Sequence, residues 1–348
     1  MLLHASAFEM RAAFLLRNVC DFPRELTADK INSGDAEEIL EGLRYLRQLL
    51  LDIYGDTAAY RVTDALESYH RLTHTVSLLY VAGAYGELAR EGEVSFLRLD
   101  KALIRKHFKK PAAFHLEALQ NYGFYFECLK NGRHVKTYQS CGTVCMYNEG
   151  CSSFFPALTY LTKRIPAMDS KKDYAMQADL FFRADYETIL LGRGKRKEDI
   201  GPLMPYILRS LGPRADLWEK LVSDLTGRQG LKASCKFWSY CTPHWIVHLG
   251  RKGKPVCIFT IHTDVLFFEM AAPFEQLAAL AQAKGQLAPV VFKSMEQFGC
   301  IHCGRCSGES IVLVNGIALC KEEPWARRFS FEAVSGAEAE AILSLVNF

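Results

Sequence analysis

Four cysteines near the carboxyl end constrain the fold of this chain more than any other feature. They are Cys300, Cys303, Cys306 and Cys320. The first three repeat a C-x2-C spacing, which lets sulfurs converge on one ion as the backbone turns around them. Asn315-Gly316 is the preferred pair for a two-residue hairpin turn, and closing that hairpin brings Cys320 opposite Ile311, back beside the other three. The pattern predicts one metal ion held by four thiolates.

Zinc is the metal that this ligand set favours, because four thiolates suit its tetrahedral coordination at about 2.3 Å. Since the protein fills all four positions, such a zinc is structural and not catalytic. An iron–sulfur cluster is the alternative, although the C-x3-C-P continuation of the bacterial ferredoxin motif is missing here. Unligated or redox-active cysteines are the third interpretation. A second group, Cys141, Cys145 and Cys151, lacks standard metal spacing and is interpreted as a cysteine-rich loop or, alternatively, a separate metal site.

The composition is that of a globular chain. Of 348 residues, 49% are hydrophobic and 23% are charged, and the net charge is +3, so two or three domains are expected. Such a chain has no whole-surface attraction to nucleic acid or anionic lipid, and any such binding needs local patches. No apolar run approaches the ~20 residues of a bilayer-spanning helix, and the amino terminus lacks the secretory signal pattern. We therefore expect a cytoplasmic protein with no membrane partner.

The amino-terminal half is predicted to begin with helices. Apolar residues recur at helical spacing within residues 35–54, and they are Ile39, Leu43, Leu46, Leu50 and Ile53. A second long helix is predicted over about 63–90. A short strand and two short helices follow, the second over about 112–122.

A hairpin is predicted next, because Asn131-Gly132 is a type I′ turn pair between two runs rich in aromatic and β-branched residues. Closing this turn places Glu127 opposite Lys136 and Tyr125 opposite Tyr138, an opposite-charge pair and an aromatic pair.

This order of elements resembles a winged-helix domain, with the hairpin as the wing. In that family the second of the two short helices enters the DNA major groove. The resemblance implies nucleic-acid contacts from the residues in and before that helix, which are Lys109, Lys110, His115, Gln120 and Asn121. Glu117 on the same helix is unfavourable for phosphate contact. Winged helices also serve as protein-interaction modules, and that alternative stays open.

A basic run separates the two halves of the chain. Arg193, Lys195, Arg196 and Lys197 lie among glycines, which predicts a flexible loop. The loop is either simply solvated or in contact with phosphate or nucleic acid. It is not a P-loop, since no Gly-Lys-Ser/Thr follows at the required spacing.

The carboxyl-terminal half is predicted to be an α+β domain. Its predicted helices span about 201–211, 214–226, 274–284 and 336–346, and its predicted strands span 231–239, 244–249, 255–261 and 264–269. The run Leu217-Trp218-Glu219-Lys220-Leu221, the aromatics Trp238 and Trp245, and the basic turn 250–254 resemble the bacterial YjbR/YdhG-like domains. That family implies the α+β fold but brings no agreed activity.

Aromatic and imidazole side chains cluster on two of these predicted strands. Trp238, His244, Trp245 and His248 are interpreted as either the lining of a ligand cleft, with an acid–base or binding role, or as core residues. His244 and His248 share one face of their strand because they are four residues apart. No HExxH, GxSxG, GxGxxG or EF-hand pattern occurs, so the common hydrolase, nucleotide and calcium functions gain no support.

The sequence thus predicts an α+β protein in four parts: helices over 1–62, a winged-helix-like domain over 63–165, a basic connector over 166–198, and an α+β domain with a four-cysteine metal site over 199–348. The leading hypothesis is a zinc-binding regulatory or nucleic-acid-associated protein. The alternatives are a small-molecule binder or enzyme that uses the aromatic and histidine cleft, an iron–sulfur redox or sensor protein, and a protein–protein scaffold. The sequence leaves the oligomeric state open.

Overall fold

The computed structural model describes most of the chain. The described residues are 7–24, 26–108, 110–165, 174–192, 196–227, 230–238, 244–262, 266–271, 274–283, 285, 289–298, 311–321, 328–332 and 335–347. The chain divides into two compact units. Unit 1 comprises Met1–Lys195 with Ser239–Pro243, and unit 2 comprises Arg196–Trp238 with His244–Phe348.

Unit 1 combines helices with one antiparallel sheet. Its helices are α1 (Ala7–Arg17), α2 (Ala36–Gly55), α3 (Thr57–Tyr60), α4 (Ala65–Tyr85), α5 (Lys101–His107), α6 (Ala112–Gln120), α7 (Phe154–Thr162), α8 (Tyr174–Arg183) and α9 (Tyr186–Leu191). Its strands are β1 (Glu87–Glu91), β2 (Val94–Asp100), β3 (Phe124–Lys130), β4 (Arg133–His134) and β5 (Thr143–Asn148). The strands lie in the order β1-β2-β5-β3-β4.

The two long helices of unit 1 follow their apolar spacing, with one correction. All the apolar positions predicted for α2 are buried. The second predicted helix ends at Tyr85, because the chain turns at Gly86 and enters β1. Residues 87–91 pair with β2 across a turn in which Gly92 has a φ of 61°. The helical prediction to residue 90 is therefore wrong over its last turn, where strand pairing replaces helical hydrogen bonds.

The predicted hairpin turn is confirmed, but its arms are shorter than expected. Asn131 and Gly132 have φ values of 50° and 75°, the left-handed conformation that a type I′ turn requires. Strand pairing with β4 covers only Leu129–Lys130 against 133–134. The aromatic pair Tyr125–Tyr138 is wrong.

The ring of Tyr125 instead stacks on Tyr147 of β5 at 4.6 Å. Tyr138 lies in a 3-10 helix, Tyr138–Ser140. The reason is that β5 pairs along the length of β3.

Unit 2 has helices around a larger antiparallel sheet. Its strands are β6 (Glu198–Asp199), β7 (Lys232–Trp238), β8 (His244–Arg251), β9 (Lys254–Ile261), β10 (Leu266–Ala271), β11 (Ile311–Val314), β12 (Ile317–Cys320) and β13 (Arg328–Glu332). Its helices are α10 (Met204–Leu211), α11 (Ala215–Gly227), α12 (Phe274–Gln282), α13 (Pro289–Phe298) and α14 (Gly336–Asn347). The main sheet has the order β13-β10-β9-β8-β7-β6, and β11 pairs with β12 alone.

One face of the main sheet of unit 2 forms its core. Along β8 the alternate residues Trp245, Val247 and Leu249 are buried, and Phe259 on β9 lies on the same face. The ring of Trp218 on α11 meets that of Phe259 edge-on at 6.0 Å. The residues between them on β8 are less buried and face the opposite side.

The antiparallel sheets and their flanking helices make this an α+β protein, as predicted. Within the described part of the chain, no helix is both long and apolar enough to cross a lipid bilayer.

Candidate functional site

Lys101 anchors the chain just beyond the β3–β4 hairpin. Its ammonium donates hydrogen bonds to the carbonyl oxygens of Tyr138 at 2.7 Å, Gln139 at 2.6 Å and Cys141 at 3.2 Å. Lys101 is 7% exposed, and three carbonyls satisfy the three donors of one ammonium group. The first turn of α5 is therefore tied to the segment that joins the hairpin to β5.

Exposed basic side chains lie on α5, directly after it, and on the hairpin. We call them the basic hairpin surface, and its members are Arg105, Lys106, Lys110, Lys130, Arg133, His134 and Lys136. Burial raises the pKa of Tyr138 and the positive charge of Arg105 opposes that rise, so the guanidinium lies near the hairpin base. The Lys101 contacts thus bring cations from distant parts of the sequence into one region.

The cations of the basic hairpin surface are not neutralised by described neighbours. None of them forms an ion pair with a carboxylate that the structure describes, whereas Arg71 and Arg90 in the same unit contact Glu67 and Glu38. The acidic residue of the following helix is Glu117, which is exposed. Unpaired cations produce a positive local potential, which attracts polyanions.

Sequence reasoning missed most of this surface. Of its members, the resemblance to winged helices indicated only Lys110, which is exposed. The other members are spread over a long stretch of sequence. The sequence signal that could have indicated the hairpin part of the surface is the set of basic residues flanking the Asn131-Gly132 turn.

Helix α6 does not present the contacts expected of a recognition helix. His115 is buried, and its Nδ1 lies 3.0 Å from the Thr75 hydroxyl oxygen. Burial lowers the pKa of His115 to about 3, so its imidazole is neutral at physiological pH. His115 is therefore a core residue, which corrects the prediction. Gln120 and Asn121 are exposed as expected, and Lys109 lies outside the described residues.

The predicted basic loop is only partly described. Arg193 and Lys195 lie outside the described residues, while Arg196 and Lys197 are exposed at the start of unit 2. Lys197 directly precedes β6, the edge strand of the main sheet.

The histidines predicted to share a face do so, but Trp245 does not join them. His244 and His248 alternate with Trp245, which is 1% exposed and meets Phe237 edge-on at 5.2 Å in the core. Trp245 therefore does not line the predicted cleft, because adjacent side chains of a strand point to opposite faces of the sheet. Trp238 pairs with His244 along the backbone.

A third imidazole, not singled out from the sequence, lies beside His244. The ring of His262, just after β9, is 4.6 Å from the ring of His244. His248 lies further along the same face. Its pKa is lowered to about 4 by burial first, and then by the positive charges of Lys197 and Lys236. This face therefore combines neutral imidazole with local positive charge.

The four-cysteine site falls mainly outside the described residues. Cys300, Cys303 and Cys306 lie in the segment that the structure does not describe, whereas Cys320 is buried in β12. Cys320 pairs with Ile311, the register expected from the turn at Asn315-Gly316. No group of three metal-ligating side chains occurs among the described residues.

The second cysteine group is described. Cys141 and Cys145 are buried and Cys151 is partly buried, and all three are free thiols. Cys145 lies on β5, and the Cys141 thiol donates to the Tyr138 carbonyl oxygen at 3.1 Å. Cys141 thus packs at the hairpin base, whereas Cys151 lies between β5 and α7, beside Ser153 and Glu41.

Comparison of the chain with protein-family models, with curated proteins and with solved structures gives no match.

Proposed function

We propose that this protein binds nucleic acid through the basic hairpin surface of unit 1. The observation that carries the proposal is the set of exposed cations on α5 and the hairpin that have no carboxylate partner among the described residues. Lysine and arginine on such a surface neutralise phosphates and release condensed counterions, which supplies most of the affinity of non-specific binding.

The order of elements in unit 1 supports the proposal. Helix α4 is followed by β1 and β2, then by α5 and α6, and then by β3 with its hairpin. Apart from the additional strand β1, this order is the one on which the resemblance to winged-helix domains depends. In a protein of that kind the hairpin is a wing. The exposed Arg133 begins its returning strand, and the exposed Lys136 lies just after that strand.

The proposed binding has little sequence preference. Side chains that read base edges must be exposed on an element that enters a groove. On α6 the fully exposed side chains are Glu117 and Gln120, and the remaining residues are at least partly buried. The basic hairpin surface therefore contacts phosphates, and duplex DNA is its proposed partner.

Fluorescence anisotropy with a labelled DNA duplex, measured over a range of salt concentrations, tests this function. The double variant Arg133→Ala/Lys136→Ala is expected to bind about tenfold more weakly and to reduce the salt slope by about 1–2, since each phosphate contact contributes about 0.9. Lys163→Ala is the matched control, because Lys163 is an exposed lysine at the end of α7. Equal behaviour of the control and the double variant, or binding without salt dependence, would contradict the proposal.

We also propose that Cys300, Cys303, Cys306 and Cys320 hold one structural zinc ion. The position of Cys320 supports this, because β12 returns it to Ile311 at the start of the hairpin, close in sequence to the other three. Four thiolates would leave no open coordination position for chemistry. Metal analysis and a visible spectrum of anaerobically purified protein test it. We expect one zinc ion per chain in colourless protein. Iron in brown protein would show instead that the four cysteines hold an iron–sulfur cluster.

A further inference from the structure

Two histidines lie one turn apart on the same face of α4. His70 and His74 are at positions i and i+4 of the helix, the spacing at which side chains are neighbours. Their ring centroids are 5.4 Å apart. His70 is partly exposed, whereas His74 is 8% exposed. Solvent therefore reaches the pair from the side of His70.

The separation of the two rings matches that of imidazoles which share one metal ion. A metal–nitrogen bond of about 2.0–2.1 Å places each ring centroid about 3.2 Å from the metal. Two such rings are about 4.5 Å apart when the bonds meet at a right angle and about 5.2 Å apart at the tetrahedral angle. The observed distance is close to the tetrahedral value. The ring planes are inclined at 18°, so the partly exposed His70 ring must rotate to turn a nitrogen toward the shared ion.

The ring of His74 is held in place by aromatic neighbours. Phe108 and His115 both meet it edge-on, at centroid distances of 6.4 Å and 6.1 Å. Among the described residues, the contacts of the His70 and His74 imidazoles are ring contacts, and neither imidazole takes part in a hydrogen bond. One ligand is thus fixed before the ion arrives, which reduces the entropy lost on binding.

The surroundings of the pair favour an ion that prefers nitrogen ligands to oxygen ligands. The positive charge of Lys110 and the negative charge of Glu67 both act on His74, and the Glu67 carboxylate is already engaged by Arg71 at 3.2 Å. Burial, and then Lys110, lowers the pKa of His74 to about 4, so its imidazole is neutral at physiological pH. Calcium and magnesium need several oxygen ligands, whereas neutral imidazole suits zinc, nickel and copper.

We propose that His70 and His74 chelate one divalent transition-metal ion on the surface of unit 1. Zinc, nickel and copper form the class of ion that fits, and copper binds most tightly in the general order of affinities. Water completes the coordination, since no group of three metal-ligating side chains occurs in the part of the chain that the structure describes. The ion is therefore exchangeable, in contrast to the ion of the closed four-cysteine site. The proposal depends neither on that site nor on nucleic-acid binding.

Titration of the full-length chain with nickel chloride tests this site. Calorimetry measures the affinity, and NMR of histidine-labelled protein shows which rings are broadened by the paramagnetic ion. We expect a Kd of about 10–100 µM, a modest affinity because the protein supplies two ligands. The broadening should be strongest for His70 and His74.

The variants His70→Ala and His74→Gln should each weaken nickel binding about tenfold or more, because a single imidazole cannot chelate. Circular dichroism verifies that both variants fold. His134→Ala is the matched control, since His134 is an exposed histidine on the hairpin of the same unit. Loss in both variants with retained affinity in the control supports the site. Nickel affinity of His70→Ala equal to that of the control, or broadening centred on other histidines, overturns it.

Discussion

The ammonium of Lys101 lies 2.6 Å from the carbonyl oxygen of Gln139 and joins the start of α5 to the segment beyond the hairpin. Two further carbonyl oxygens share this ammonium. The contact holds two groups of cations, one on α5 and one on the hairpin, in a fixed relation. The proposed nucleic-acid surface therefore depends on a lysine that is itself buried and contacts no ligand.

Replacing Lys101 by methionine should destabilise unit 1 and weaken DNA binding together. Three carbonyl oxygens, of which that of Cys141 is buried, would lose a charged donor, and we expect a loss of about 3 kcal/mol in the free energy of unfolding. Urea unfolding followed by circular dichroism measures the stability. Lys106→Met is the control, because Lys106 lies on the same helix but is exposed. Its stability should change by less than about 0.5 kcal/mol. Equal stabilities of the two variants would show that the buried ammonium is not a structural anchor.

Buried histidines should make the stability of unit 1 sensitive to acid. Burial lowers the pKa of His115 to about 3 and that of His74 to about 4, against an ordinary value of 6.5. Below pH 6.5 the unfolded chain therefore binds protons that the folded chain does not. The stability is complete above that pH and falls as the pH drops toward 3. At pH 5 each of these histidines should lower the free energy of unfolding by about 2 kcal/mol relative to pH 7.

His115→Leu tests this dependence, because leucine does not titrate. The loss of unfolding free energy between pH 7 and pH 5 should shrink by about 2 kcal/mol. The Thr75 hydroxyl keeps its hydrogen bond to the Arg71 carbonyl oxygen at 3.0 Å, so it is not left without a partner. His134→Ala is the control, since His134 is exposed on the hairpin. An unchanged pH dependence in His115→Leu would mean that His115 is protonated in the folded protein.

Gly42→Ala should destabilise unit 1 although alanine favours helices. A Cβ at Gly42 would overlap the backbone carbonyl oxygen of Ser153, just before α7. We expect the free energy of unfolding to fall by about 2–3 kcal/mol. This loss exceeds the gain of about 1 kcal/mol from the higher helix propensity of alanine. Gly55→Ala at the end of the same helix is the control, because nothing lies within 4 Å of its added Cβ. Thermal unfolding compares the two, and a Gly42→Ala protein as stable as the control would contradict the close packing of α2 on α7.

Cys320→Ser should lower the metal content, while Cys257→Ala should not. Both cysteines are buried in strands of unit 2, but only Cys320 belongs to the proposed zinc site. Loss of one of four thiolates is expected to weaken zinc binding about 100-fold or more. Competition with a colorimetric chelator measures this change. Identical zinc affinities of the two variants would remove Cys320 from the ligand set.

Local sequence signals predicted the turns and many of the elements. The pairs Asn131-Gly132 and Asn315-Gly316 adopt positive φ values, because a two-residue hairpin requires left-handed backbone there and these residues tolerate it. The apolar spacing in residues 35–54 predicted α2 and its buried face. These features depend on neighbours a few positions apart, which is the range over which helical and strand periodicity acts.

Strand pairing decided what the helical and hairpin signals did not. The run after Gly86 continues a helical pattern, yet it forms β1 because β2 offers it a partner. Tyr125 pairs with Tyr147 of β5 and not within its own hairpin. The partner is the next strand across a tight turn in the first case and a strand further along the chain in the second, and in both cases sheet context overrides local preference.

The amino-acid sequence by itself thus determined the α+β class, the hairpin turns and the register that places Cys320 opposite Ile311. Only the tertiary structure decided which charged residues act together. Arg105 lies near Tyr138 at the base of the hairpin, where the buried Lys101 ammonium binds three carbonyl oxygens. Electrostatic sites depend on distances in space, and those distances are set by packing and strand pairing between residues far apart in the chain.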